Sequence, residues 1–549
     1  MRIIPIKGTV EIDRTLNESN RFLFSPHFFW LALVPLLVFV LSLASTLSPN
    51  DFWGHVAAGR WMAQNGAIPT TNIFSWGVPP ETPYPYPSWG AAWLMFQTLN
   101  WTGFTGIVAM RAVCAASAWA ILCAVAWHRV RRAAPNVAPE RAAQIVTFAA
   151  LLAFGMAGTN LDARPQMFAL PLFALATALL FDLPHQTRPR FALLSVVFAG
   201  TVLWANAHGS FFLALALPLG ALVGEGLSRV AKRGFFGESL PAAKLVFLAA
   251  WAAVAFLATL VNPHGVHVWD YVFTLTSNQT VQQYIYEWQP PRFGEGPGTV
   301  FFGGFALCVA LVMLCAAKKT GESGKIEHLS VRAGEVLVFL ALFTLGCRSL
   351  RSVLWFALLF IPVAASFGAR YIAARSTVEI DRTSSARGFV PKVLCSVLLV
   401  ATGILWPSVK ARMPWPQAFR SRYAPSPRGE IPFILDATTP VAAAAFLVNA
   451  PPRRLWNDMG QGAYLAWALP SQTARCDWRI ELFPNSFWLE YLRLSQGPPD
   501  SVAALHALGI SDVLCDREAQ KGLIERLSRA PGWQQHNFQT SVLFHKRSD

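Results

Sequence analysis

Residues 28–47 read FFWLALVPLLVFVLSLASTL, and residues 48–61 continue as SPNDFWGHVAAGRW. The first run carries no charge over 20 residues, enough for a helix to cross the ~30 Å hydrocarbon layer of a bilayer. The second run brings an acid, an imidazole and a guanidinium (Asp51, His55, Arg60) to the place where that helix opens into water. Asp51 and His55 are four residues apart, so on a helix they share one face. Ionisable groups at such a boundary are costly to keep, which marks a functional site; the competing reading is that they cap and anchor the helix end.

The rest of the chain repeats the first pattern. Of 549 residues, 54% are hydrophobic and 14% charged, against about 25% charged in soluble domains. Apolar stretches predict about eleven transmembrane helices near 27–48, 104–127, 144–158, 166–182, 191–207, 211–227, 241–261, 299–316, 331–346, 353–373 and 391–407. The fold class is an α-helical polytopic membrane protein; a β-barrel would show ~10-residue alternating segments. The net charge of +15 lies mostly in short loops, and no nucleic-acid-binding signature accompanies it, so nucleic acid is excluded as a partner and membrane lipids take its place.

The loops orient the chain. With residues 1–26 in the cytoplasm, the returning loops hold Arg129, Arg131, Arg132 and Arg141; Arg188 and Arg190; Arg229, Lys232 and Arg233; Lys318, Lys319 and Lys325; and Arg370, Arg375, Arg382 and Arg387. Five basic loops in succession satisfy the positive-inside rule. This predicts a multi-pass protein of a bacterial inner membrane, its first span an uncleaved anchor, with the loop 49–103 and everything after about Ser408 outside the cytoplasm. The segment Thr9–Thr15 (TVEIDRT) recurs at Thr377–Thr383, and no chemistry follows from it.

The predicted divisions are a membrane domain over 27–408, a Pro/Arg-rich linker over 409–432 and an extracytoplasmic α/β domain over 433–549. Within the last, helices are expected at Thr439–Val448, Gly462–Ala468, near Pro499–Leu508 and up to about Arg529. Strands are expected at Arg454–Asp458, Asp512–Cys515, Trp533–Phe538 and Ser541–Lys546, giving a partly parallel sheet. Cys476 and Cys515 fall in this tail, where an oxidising compartment would permit a disulfide; the other six cysteines lie in or beside apolar runs.

Beyond Asp51, polar residues gather in the outer loops. Arg164, in Asn160–Pro165, has the fork that binds a phosphate bidentately, unless it pairs locally with Asp162. Asn206 and His208 lie between apolar runs, where a helix-to-helix hydrogen bond competes with a substrate contact. His264 and His267 are three apart, but further zinc ligands do not follow at the usual spacing. Glu287 and Arg292 come next, then Arg348 and Arg351, one helical turn apart and suited to a lipid-linked phosphate or to snorkelling. No phosphate-binding glycine loop, nucleophile elbow or HExxH is present.

These motifs resemble a known group. Asp51-x-Trp53-x-His55 with Gly59-Arg60-Trp61, Asn65-Gly66, Pro69 and Phe74-Ser75 is similar to the first outer loop of bacterial membrane glycosyltransferases of the GT-C superfamily, in the group related to dolichyl-phosphate-mannose protein mannosyltransferases. Asn206-x-His208-Gly209, Asn262-Pro263-x-Gly265, Glu287-Trp288 and Asn457-Asp458-x-Gly460-x-Gly462-x-Tyr464-Leu465 resemble its later landmarks. The resemblance implies transfer of a sugar from a polyprenyl-phosphate donor to an envelope lipid, polysaccharide or protein. It makes Asp51 the acid that orients or deprotonates the acceptor, the base of our reading, with His55 beside it. Arg60, Arg164, His208, His264, Glu287, Arg348 and Arg351 become substrate-binding residues. No cofactor is required by the sequence; a divalent cation is compatible with the resemblance, although metal ligation by Asp51 is the weaker reading. Two positions depart from the group. Asn72 stands where relatives often have Asp, and Ala91-Ala92 precedes Trp93-Leu94 where a polar residue is common. Glu81 or Glu287 is then left as the second carboxylate. A flippase for lipid-linked glycans and a non-catalytic envelope assembly protein are the alternatives; the first should show paired intramembrane acids or matching broken helices, which the sequence lacks.

Overall fold

A computed structural model describes residues 25–230, 239–317, 331–375, 389–426 and 431–547, except 452 and 472. Both copies of the TVEIDRT segment lie outside the described residues. Each of the eleven expected spans is a helix: α1 Pro26–Ala44, α3 Trp89–Ala133, α4 Pro139–Ala157, α5 Gln166–Asp182, α6 Leu193–Ala207, α7 Leu213–Val230, α8 Ala242–Thr259, α10 Gly296–Ala317, α11 Ala333–Arg348, α12 Leu350–Arg375 and α13 Phe389–Leu405. Among the described residues, eight helices are long and apolar enough to cross a membrane; α6 and α13 are shorter apolar helices. Further helices outside this set include α2 Asp51–Asn65, directly after the first span, and α9 Val268–Ser277.

α12 is the axis of the bundle, buried along nearly its whole length, with α3, α4, α10 and α11 packed around it. Its Trp355, Phe356 and Phe360 join Phe173, Phe301 and Phe339 in one aromatic core, the offset and edge contacts that add about 0.5–1.5 kcal/mol per pair to burial. α3 is longer than its span because an outer helical segment is joined to it across Gly103, whose φ of 63° and ψ of −163° break the helix. The break falls one residue before the predicted start of the span.

Among the described residues, basic side chains flanking these loops gather at one end of the bundle. There Arg129 pairs with Glu335 at 2.8 Å, Arg229 donates to the Leu240 carbonyl and Lys244 to that of Pro184. Asp51, Arg164, His208, Glu287 and Arg351 sit at the other end.

The tail is the expected small α/β unit. Its strands are β1 Leu455–Asn457, β2 Asp512–Asp516, β3 Trp533–Asn537 and β4 Ser541–Lys546, in the order β1-β2-β4-β3. β1 and β2 are parallel, with Trp456 opposite Val513, and the remaining pairs are antiparallel. Helices α14 Val441–Val448, α15 Gly462–Ala468, α17 Ser501–Ala507 and α18 Lys521–Arg529 match the sequence pattern, whereas α16 Asn485–Ser495 was not expected. Cys476 and Cys515 are both buried free thiols, so the disulfide the sequence permitted is not formed.

The tail is woven into the first outer loop. Leu47 pairs with Leu435 as a β-bridge, and Ser75 pairs with Ala474. Phe52 and Trp53 of α2 are buried in one cluster with Tyr464, Leu465 and Leu514 of the tail. Trp53 meets Tyr464 edge to face at 4.8 Å.

Candidate functional site

Asp51 is the first residue of α2. Asn50 caps that helix, accepting from Phe52 N–H at 3.3 Å and donating its amide to Asp162 Oδ2 at 3.1 Å. The partial positive charge of a helix N-terminus favours a carboxylate at this position. His55 follows one turn later on the same face, and both line a cavity of about 210 Å³ between the first loop, the outer ends of the spans and the tail.

Arg164 is the hub. Its Nη1 lies 2.8 and 2.7 Å from the two oxygens of Glu287 and 3.7 Å from Asp51 Oδ2. The local Asp162 partner is also present, at 3.7 Å. Arg351, in the first turn of α12, donates to Glu287 Oε1 at 3.2 Å and approaches His208 Nε2 at 3.4 Å. Five segments far apart in the chain thus meet through two guanidiniums.

This network sets the protonation of the cavity. Burial works to raise the Asp51 carboxyl, but Arg164, Arg351 and His55 outweigh it and hold the group below its ordinary value. His55 is pushed down to about 4 by burial, with Arg164 and Arg351 adding to the effect and Asp51 opposing it. His208 is driven well below its usual range by burial and then by Arg351, His55 and Arg164. Both imidazoles are therefore neutral near pH 7, and the His208 ring bonds Ser210 instead.

Three of the expected substrate-binding residues lie elsewhere. Arg60 stacks on Trp467 at 4.3 Å and donates to its carbonyl at 2.8 Å, fastening α2 to the tail. His264 sits in a turn closed by Asn262, whose Oδ1 accepts from His264 N–H at 2.7 Å, and does not line the cavity. Arg348 is exposed at the end of α11. The expectation that Arg348 and Arg351 stand one turn apart on one helix is corrected: Ser349 is extended (φ −157°, ψ 143°) and separates α11 from α12, so only Arg351 turns into the cavity.

The tail supplies residues the sequence reading passed over. Trp478, Ile480 and Glu481 line the same cavity. Glu481 Oε1 accepts from the hydroxyls of Tyr84 at 2.8 Å and Tyr271 at 3.0 Å. Trp478 lies flat on α2 because residue 54 is glycine; a Cβ there would collide with the indole. Gly54→Ala is accordingly expected to displace Trp478 and lower the thermal unfolding temperature of the detergent-solubilised protein, since overpacking of this kind costs about 1–3 kcal/mol. An unchanged melting curve would show that Trp478 can move at no cost.

Asp51 and Glu287 do not fit a divalent cation. Glu287 is held by two guanidiniums, and Arg164 Nη1 fills the space between Glu287 and Asp51. Among the described residues, no group of three or more His, Cys, Asp or Glu side chains is placed to hold a metal.

No protein-family model and no curated protein matches the sequence. Among solved structures, the chain is similar to the oligosaccharyltransferase of Archaeoglobus fulgidus in its apo form. The identity is 12%, the match covers 95% of this chain and 74% of that one, and the TM-score is 0.51. Matches at lower TM-score are ArnT from Cupriavidus metallidurans bound to undecaprenyl phosphate (15% identity, 94% and 97% covered, 0.43) and the arabinofuranosyltransferase AftD from Mycobacteria (15%, 95% and 42%, 0.47). The chain shares the fold of that oligosaccharyltransferase over nearly its whole length.

Proposed function

We propose that this chain moves a sugar from a polyprenyl-phosphate donor to an envelope acceptor on the extracytoplasmic side of a bacterial inner membrane. The observation that carries the reading is the convergence of Arg164 and Arg351 on the cavity that also holds Asp51 and His55, at the ends of the spans. Two guanidiniums from separate elements of the chain suit a phosphodiester whose charge grows as the sugar leaves. The Nε–H of Arg164 is buried with no acceptor among the described residues, a demand a phosphate oxygen would meet. Val272, Leu275, Ile285, Leu345 and Trp355 form an apolar flank for the first isoprene units. The orientation rests on the positive-inside reading of the basic loops in the sequence.

Asp51, kept ionised by Arg164, stands on the acceptor side and orients the attacking hydroxyl or amine. Membranes supplied with polyprenyl-phosphate-linked mannose, glucose or arabinose test the reading. Asp51→Asn and Asp51→Ala should lower transfer about 10²-fold or more, the usual effect of misplacing a reacting group, while radiolabelled polyprenyl phosphate is still retained. Unchanged transfer would remove Asp51 from the chemistry. A wild type that transfers from none of these donors yet carries a lipid-linked glycan across the bilayer would replace transfer by transport.

A further inference from the structure

The cavity holds one acid that the reading above leaves without a task. Glu481 lies in the short turn Ile480–Leu482 of the tail, more than 400 residues from Asp51 in the chain, and faces the same space. Its Oε1 takes both tyrosine hydroxyls, and its second oxygen is committed to neither. Asp51 and Glu287 are each ion-paired to arginine, whereas Glu481 has no ion-pair partner among the described residues. A carboxylate already neutralised by a guanidinium is a weak proton acceptor; one held by neutral hydroxyls and a backbone N–H is a stronger one.

Accepting the transfer reading, we propose that Glu481 is the general base that takes the acceptor's proton, and that Asp51 orients the acceptor without receiving it. As the acceptor oxygen or nitrogen bonds to C1 of the donor sugar, its proton passes to the second oxygen of Glu481. The bond between C1 and the phosphate oxygen breaks, and its electron pair leaves with the polyprenyl phosphate towards Arg164 and Arg351. Glu481 then releases the proton to water.

The surroundings of the two acids support this division. Burial raises the Glu481 carboxyl above its ordinary value, and the Asp51 charge adds to that, while its own backbone N–H, Tyr84 and Tyr271 pull it back. Asp51 is shifted the other way. Environments that drive two carboxyls apart separate their roles. The groups facing Glu481 are Tyr84 from the first loop, Tyr271 from α9 and Asp51 from α2; Arg479 and Arg351 stand behind the tyrosines.

The test uses the full-length protein in nanodiscs, with radiolabelled polyprenyl phosphate for binding and a polyprenyl-phosphate sugar that the wild type uses for transfer. Glu481→Gln should retain polyprenyl phosphate within twofold of wild type, which also shows that it folds, while kcat falls by about 10²- to 10⁴-fold with little change in acceptor KM. In Tyr271→Phe, loss of a hydroxyl that favours the ionised carboxyl should move the acid limb of the kcat profile to higher pH. Glu481→Gln with wild-type kcat, or with a raised KM alone, would overturn the assignment, as would an acid limb unmoved in Tyr271→Phe. A wild type that neither binds nor transfers would overturn the transfer reading itself, and this assignment with it.

Discussion

Arg164→Met should abolish donor retention. Among the described residues, the side chain it removes is the only one that touches Asp51, Asp162 and Glu287 together, and methionine fills similar space without a donor. Truncating one partner of a desolvated, hydrogen-bonded charge pair costs about 2–5 kcal/mol, so polyprenyl phosphate should bind at least about 30-fold more weakly. Stability should fall as well, because three carboxylates remain in a half-buried cluster with Arg351 and, at Asp162, Arg111 to balance them. Arg164→Lys keeps the charge but loses the fork, and should recover part of the stability and little of the binding. Adding Asp51→Asn to Arg164→Met should restore part of the lost stability, since the two residues share one network. Both quantities are accessible from the same preparation by filter retention and thermal unfolding. A methionine variant that melts early but binds donor normally would make Arg164 a clamp for acids and nothing more.

The membrane part of this architecture was readable because the bilayer imposes one long, uncharged period on every span. All eleven expected runs are helices, and the small alternations in the tail foretold its strands to within a residue or two. The site was readable where its residues sit in polar breaks between apolar runs, as Asp51, His55, Arg164, His208, Glu287 and Arg351 do. Asp51 and His55 announce themselves by four-residue spacing directly after a span. Arg348 and Arg351 misled, because a three-residue spacing reads as one helical face until Ser349 breaks the backbone between two helices. Glu481 gave no local signal of its role: its partners are Tyr84 and Tyr271, and contacts of that sequence separation leave no period. A trace existed in Arg475–Glu481, where four charges and a tryptophan fall within seven residues. Such a run is ordinarily a solvated face, and in this fold it is the inner edge of the tail. Asn72 was read as a missing acid. It is buried, and its amide donates to the carbonyls of Ser75 at 2.8 Å and Val78 at 3.1 Å, so it shapes the loop away from the cavity.

The ion pair beneath that loop decides whether the tail stays seated. Arg479 and Asp477 are fully buried, joined at 2.5 Å through Nη2 and 3.0 Å through Nε. Arg479 also donates to Tyr86 Oη and to Asn72 Oδ1, each at 2.6 Å, while the rings of Phe74, Tyr84, Tyr86 and Trp478 close over it. The tail thereby holds the first loop from within, and the residues it presents to the cavity, Trp478, Ile480 and Glu481, flank this arginine. Arg479→Met leaves Asp477 without its counter-ion in a dry site and should cost about 3–5 kcal/mol, whereas replacing both partners by apolar residues of similar volume should be far milder. Limited proteolysis should release the tail of the single variant, and transfer should fall together with that release because Glu481 loses its seat. Asn72→Asp adds a second anion to an arginine already satisfied, and should lower stability without raising activity. Higher activity in Asn72→Asp would return position 72 to the chemistry, and an Arg479→Met protein that melts like wild type would show that the apolar cluster around Trp53 holds the tail without this pair.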